Sequence, residues 1–152
     1  MIASPAYELA KAILTTISGD AEIEQYCQAK WSKSLSLFLG LDVKDPPADD
    51  LQPWLTAVPT SSGRADGWNA EEYGVTFGIE IESSGKTAVA TGFTEITGLK
   101  VLEEFTLLVF KKICDDPVYQ QLILGNPVPQ FELDYPFFRS VWTITAVGTI
   151  QQ

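Results

Sequence analysis

The stretch GLKVLEEFTLLVFKKICDD, Gly98 to Asp116, decides the fold. In helical projection Leu99, Val101, Leu102, Phe105, Leu108, Val109, Phe110 and Ile113 fill an arc of roughly 200°, wider than the stripe of about 100° on an ordinary surface helix. Lys100, Glu103, Glu104 and Lys111 form the wet face, with Leu107 the one apolar residue among them. Glu103 and Glu104 near the start, and Lys111 and Lys112 near the end, suit the helix dipole. So broad an apolar arc predicts a helix that lies on a sheet and touches something else as well. That second neighbour is either the rest of the same chain or another molecule, and Val101, Leu107, Leu108 and Phe110 are the candidate partner contacts.

The sheet is written on both sides of this helix. From Tyr73 to Glu82, Tyr73, Val75, Phe77, Ile79 and Ile81 alternate with Gly74, Thr76, Gly78, Glu80 and Glu82, the period of a half-buried strand. Later, Phe138, Trp142, Ile144, Ala146 and Ile150 alternate with Arg139, Thr143, Thr145 and Thr149, which predicts a long threonine-rich strand pairing antiparallel with the first. Gln130 begins a further strand, with Asp134-Tyr135-Pro136 at the bend between the two. Ser83 to Lys86 reads as a hairpin turn into a strand over Thr87 to Phe93. Trp54 to Pro59 is a short strand, followed by a polar loop over Thr60 to Glu71. Within that loop Trp68 either folds back onto the domain or anchors a partner, and Arg64 is the other candidate contact.

The N-terminal third is helical. Ser4-Pro5 looks like a cap with proline at the first helical position, and Leu9, Ala10, Ile13, Leu14 and Ile17 keep helical spacing. Asp20 then caps a shorter helix reaching about Lys30. Ser34 to Val43 alternates like a strand, although leucine favours helix and Ser32 could cap one. Val118 to Leu124 is expected to form another helical turn. The sum is a single domain over residues 1–152 of the α/β class (α+β type), a mostly antiparallel sheet covered by helices.

Composition narrows the function. Twenty Asp and Glu against ten Lys and Arg give a net charge of −10, so a basic groove for nucleic acid is excluded. An acidic surface instead lets DNA slide past, or imitates it. Histidine is absent, which removes the commonest general base and the commonest zinc ligand. Cys27 and Cys114 form no CxxC and are expected to be buried, reduced thiols. No apolar run of about 18 residues could span a membrane, and the first residues lack the pattern of a secretory signal.

Three motifs invite chemistry and fail. Gly85-Lys86-Thr87 resembles the end of a phosphate loop, but its first glycine would fall at Glu80 and no helix is expected to follow. Glu80 and Glu82 share one strand face, the ordinary pattern of a solvated surface. Asp45, Asp49 and Asp50, in the proline-rich segment Lys44 to Pro53, lack the glycine and glutamate of a calcium loop. The expectation is therefore a non-enzyme with no cofactor and no metal.

An N-terminal helix, an early strand, a proline-rich loop entering Pro53-Trp54-Leu55, a hairpin, the Gly98 helix and a closing aromatic and threonine strand together resemble the phage tail-terminator, or tail-completion, proteins. The resemblance spans nearly the whole chain in element order, length and acidity; the segment from Asp20 to Val43 is longer and richer in leucine than that family leads one to expect. It implies a ring-forming homo-oligomer, usually a hexamer, on the head-proximal end of the tail tube, where it stops polymerisation and offers the surface that joins the head. The partners implied are further copies of itself, the tail tube protein and the head-tail connector protein. DNA passes through without specific binding, and the location is the virion tail, with host cytoplasm during assembly. Another head-tail joining (neck) protein and an acidic DNA-mimic binding protein are the alternatives.

Overall fold

The computed structural model describes residues 5–40, 52–64 and 71–148, with the side chains of 61–64 and 71 left aside. The domain is α+β, as expected. Its helices are α1 (Pro5–Ser18), α2 (Ala21–Trp31), α3 (Thr97–Cys114) and the single turn α4 (Pro117–Gln120). Its strands are β1 (Ser36–Leu39), β2 (Trp54–Arg64), β3 (Glu71–Glu82), β4 (Lys86–Ala90), β5 (Phe93–Ile96), β6 (Ile123–Leu124), β7 (Gln130–Asp134) and β8 (Phe137–Val147). The main sheet runs β1-β2-β3-β8, with β7 and β6 sharing the far edge of β8; every pairing is antiparallel except β1 with β2.

The long alternations explain this order. Tyr73, Val75, Phe77, Ile79 and Ile81 of β3 are at most 1% exposed, and Phe138, Trp142, Ile144 and Ala146 of β8 are buried beside them. The expected antiparallel pairing of these strands is present, with Phe77 opposite Trp142 and their rings stacked at 5.5 Å. Leu9, Ala10 and Ile13 of α1, and Leu102, Phe105, Val109 and Ile113 of α3, close over the same face. Burying this much apolar surface is the main driving force for the fold. Two polar residues enter the layer, Thr106 and Ser140, and their hydroxyls bond each other at 2.7 Å, so neither is left unsatisfied.

α2 starts as predicted: the Asp20 carboxylate accepts from the Ile23 amide at 3.0 Å. It ends where Ser32 adopts a left-handed conformation, φ 54°. Tyr26 stacks on Phe105 at 5.4 Å and Trp31 meets the same ring edge-on at 5.3 Å, while Lys112 bridges Asp20 and Glu22. Thus α2 covers one flank of α3.

Several expectations change. The polar stretch after Pro59 is not all loop: β2 continues to Arg64 and β3 begins at Glu71, paired with it. Ladder bonds are made by the backbone, so pairing persists after hydrophobic alternation stops, with an irregularity at Pro59 where no N–H is available. The strand after Ser83 does not pair with β3; β4 turns at Gly92, φ 75°, and pairs with β5 as a separate hairpin. Ser36 to Leu39 is strand, settling the open choice there in favour of strand. In the segment Val118 to Leu124 the helical turn α4 stops at Gln120 and β6 follows. Ser4, residues 41–43, the three aspartates of the proline-rich segment and Trp68 lie outside the described residues.

Candidate interaction surface

The four helix residues nominated as partner contacts separate into two groups. Val101 is buried, and Leu108 and Phe110 are half-buried against the core, Phe110 with its ring edge-on to Trp142 at 5.9 Å. Most of the broad apolar arc is therefore used within the chain, by the sheet below and by α2 at the side. Leu107 differs: it is 44% exposed, and Leu99, on the same outer side two turns earlier, is 40% exposed. Arg64 lies at the end of β2.

Leu99 and Leu107 do not stand alone. The β4–β5 hairpin precedes α3, and its residues Phe93 and Ile96 join Leu99 and Leu107 to line a groove of about 600 Å³. Lys100, Glu103 and Glu104 border it. Every residue of β4 is exposed, and Val89 and Phe93 are 56% and 58% exposed, so the hairpin stands away from the core. Edge strand β7 also shows Phe131 and Leu133 to solvent. Isolated exposed apolar residues need no explanation, but a contiguous set around a groove marks an interaction surface.

A second feature was not legible as a site. Glu80 was expected on a solvated face, yet it is 4% exposed. Cross-strand register sets it directly opposite Arg139, whose Nε donates to Glu80 Oε1. Gln52 Nε2 donates to the other carboxylate oxygen at 2.5 Å. Among charges around the Arg139 guanidinium, Glu80 is the main reason that its pKa lies above the ordinary arginine value. The available signal was a lone arginine in a threonine-rich strand, but only the register shows its partner. Glu82, by contrast, is exposed, so the two carboxylates stand in different environments.

Chemistry is sparse elsewhere. Gly85-Lys86-Thr87 leads into strand β4, and Lys86 Nζ lies over the Tyr135 ring at 4.6 Å, which is not a phosphate cradle. Among the described residues no cluster of three metal-ligating side chains occurs, and no helix is long and apolar enough to cross a membrane. Cys27 is buried and Cys114 half-buried, both as free thiols. Burial pushes the Cys27 thiol up to about 12 and that of Cys114 up to about 11, so neither is an activated nucleophile. No known family model matches the chain, and no curated protein is significantly similar to it.

Proposed function

We propose that the protein is a structural component of a phage tail, a tail terminator that assembles as a ring, hexameric by the resemblance, caps the tail tube and presents the surface to which the head is joined. The observation that carries this reading is the apolar groove between α3 and the β4–β5 hairpin, lined by Phe93, Ile96, Leu99 and Leu107. Ile96 packs partly against the core, whereas Phe93, Leu99 and Leu107 are exposed and contribute little to it. A ring requires a heterologous contact, in which one patch meets a different patch on the next copy. The groove and the exposed apolar residues of edge strand β7 are suitable halves of such a contact. The order of elements and the net charge of −10 agree with the role, since an acidic lumen repels DNA and lets it pass. A location in the virion tail, with contacts to tube and connector proteins, follows from the same proposal.

Sedimentation across a concentration range, with and without tail tube protein, tests it. A concentration-dependent ring, or a ring nucleated by tube protein, is the expected result. A chain that stays monomeric in every mixture overturns the reading.

A further inference from the structure

Strands β4 and β7, each of five residues, are exposed along their whole length. β4 pairs with β5 alone and β7 with β8 alone, so among the described residues each keeps one edge without a partner strand. A free edge presents a row of backbone donors and acceptors that can pair with another chain. A two-stranded hairpin is moreover marginal in water, and a third strand supports it. The side chains of β7 add to this. Phe131 and Leu133 stand opposite Ser140 and Phe138, both buried, and so lie on the helix-covered side of the sheet. They are nevertheless 41% and 59% exposed, because α3 is seated over β8, through Gly98 against Phe138 and the bond between Thr106 and Ser140.

Charge and side-chain order select the strand that fits. β4 carries one charge, Lys86, whereas β7 carries Glu132 and Asp134. In an antiparallel pair with Lys86 opposite Asp134, Thr87 falls opposite Leu133, Ala88 opposite Glu132 and Val89 opposite Phe131. Unlike charges then share one face, and a β-branched side chain meets an aromatic ring on the other. A slip of one residue would set Lys86 against Leu133 and exchange the faces. Lys86 also lies over the Tyr135 ring of its own chain, a contact that still leaves ammonium N–H donors for a carboxylate. Other pairings fit less well: two β7 strands in full antiparallel register oppose Glu132 to Glu132, two β4 strands bring no opposite charges together, and β5 carries Glu95. In the fitting register Phe131 and Leu133 join the side of the hairpin that holds Thr87, its cross-strand neighbour Glu95, and Phe93. Glu95 and Phe93 line the apolar groove, so β7 continues its wall.

We infer that the free edge of β4 in one copy takes β7 of the next copy as an antiparallel third strand, with Lys86 opposite Asp134. The inference rests on the proposal that copies join head to tail, and adds the segments and the register by which they do so. Because the two edges differ, each copy offers β4 to one neighbour and β7 to the other, and the contact propagates instead of stopping at a pair.

The test mixes two variants of the full chain, Val89→Cys and Phe131→Cys, under mild oxidation, and identifies the linked peptides by mass spectrometry. Sedimentation of the wild-type chain, with and without tail tube protein, is run under the same conditions. The expected result is a disulfide between positions 89 and 131 that forms about tenfold faster than one between Val89→Cys and Glu132→Cys, since residue 132 faces the other side. Lys86→Glu is expected to weaken self-association about fivefold, the range of an exposed ion pair, and Lys86→Glu combined with Asp134→Lys to restore it. Melting temperatures should stay unchanged, because both positions are exposed. A wild-type chain that stays monomeric in every mixture overturns this inference together with the ring. Self-association without the link between 89 and 131, with Val89→Cys linking to itself instead, or without rescue by the charge exchange overturns this inference alone.

Discussion

Gly98 stands so close to Phe138 that a Cβ built on it would lie 2.2 Å from ring atom Cε2. The first turn of α3 is thus seated directly on β8, and no side chain fits between them. Gly98→Ala is expected to destabilise by about 1–3 kcal/mol through overpacking, outweighing a helix-propensity gain of up to about 1 kcal/mol. Urea midpoints check this, and Phe138→Leu in the Gly98→Ala background should recover part of the loss. A stabilised single variant would show that the contact is not tight.

Arg139→Met should remove the charge that offsets the buried Glu80 carboxylate, leaving only the Gln52 amide. The expected loss is about 1–3 kcal/mol, because the buried Glu80 carboxylate is left without its charge partner, while the partial exposure of Arg139 weakens the pair relative to a fully buried one. Glu80→Gln added to Arg139→Met should return most of it. Equal losses in the single and double variants would mean that the pair is not coupled.

Alkali should weaken the fold through its thiols. Burial, with a smaller contribution from Glu24, raises Cys27 from an ordinary 9.0 to about 12. The unfolded chain therefore releases this proton first: the stability contribution is complete below pH 9 and is lost as pH rises toward 12. The slope is about 1.4 kcal/mol per pH unit for one such group. Cys114, less enclosed, adds a smaller share. Urea midpoints at pH 8, 9.5 and 10.5 should fall steadily, and Cys27→Ala should flatten the fall. An unchanged slope in the variant would remove Cys27 as its origin.

Leu99→Glu with Leu107→Glu should alter monomer stability by no more than about 0.5 kcal/mol per substitution, since both side chains are substantially exposed. If the groove is a subunit contact, the double variant should need at least tenfold more protein to self-associate in sedimentation. Wild-type assembly by the variant would move the interface elsewhere.

Which parts were legible depends on where the information sits. Tyr73 to Ile81 and Phe138 to Ala146 could be read because one face of each strand is buried, and the alternation survives in the residue order. Asp20 could be read because capping is local. The burial of Glu80 could not, since it follows from a register with Arg139 and a contact with Gln52, both distant in sequence. The arc of α3 was drawn too wide because Leu99 was counted inward, whereas the β4–β5 hairpin leaves it partly open. That hairpin was itself hidden: its exposed, small and polar residues give no periodicity to distinguish pairing with β3 from pairing with β5.

The position of β8 between β3 and the pair β6 and β7 has a consequence for how the chain matures. The middle of the sheet is closed by residues 137–147, after α1, α2 and β3 have all been made. Helical turns can form early, but the ladder that gives α1 and α3 a common floor joins segments far apart in the chain, a topology that folds slowly. Until β8 arrives, the free edge of β3 is open to pairing with the wrong strand, including one from another copy. Yield at high expression should thus be limited by the interval before β8 docks, and lower temperature or slower synthesis should favour the folded chain.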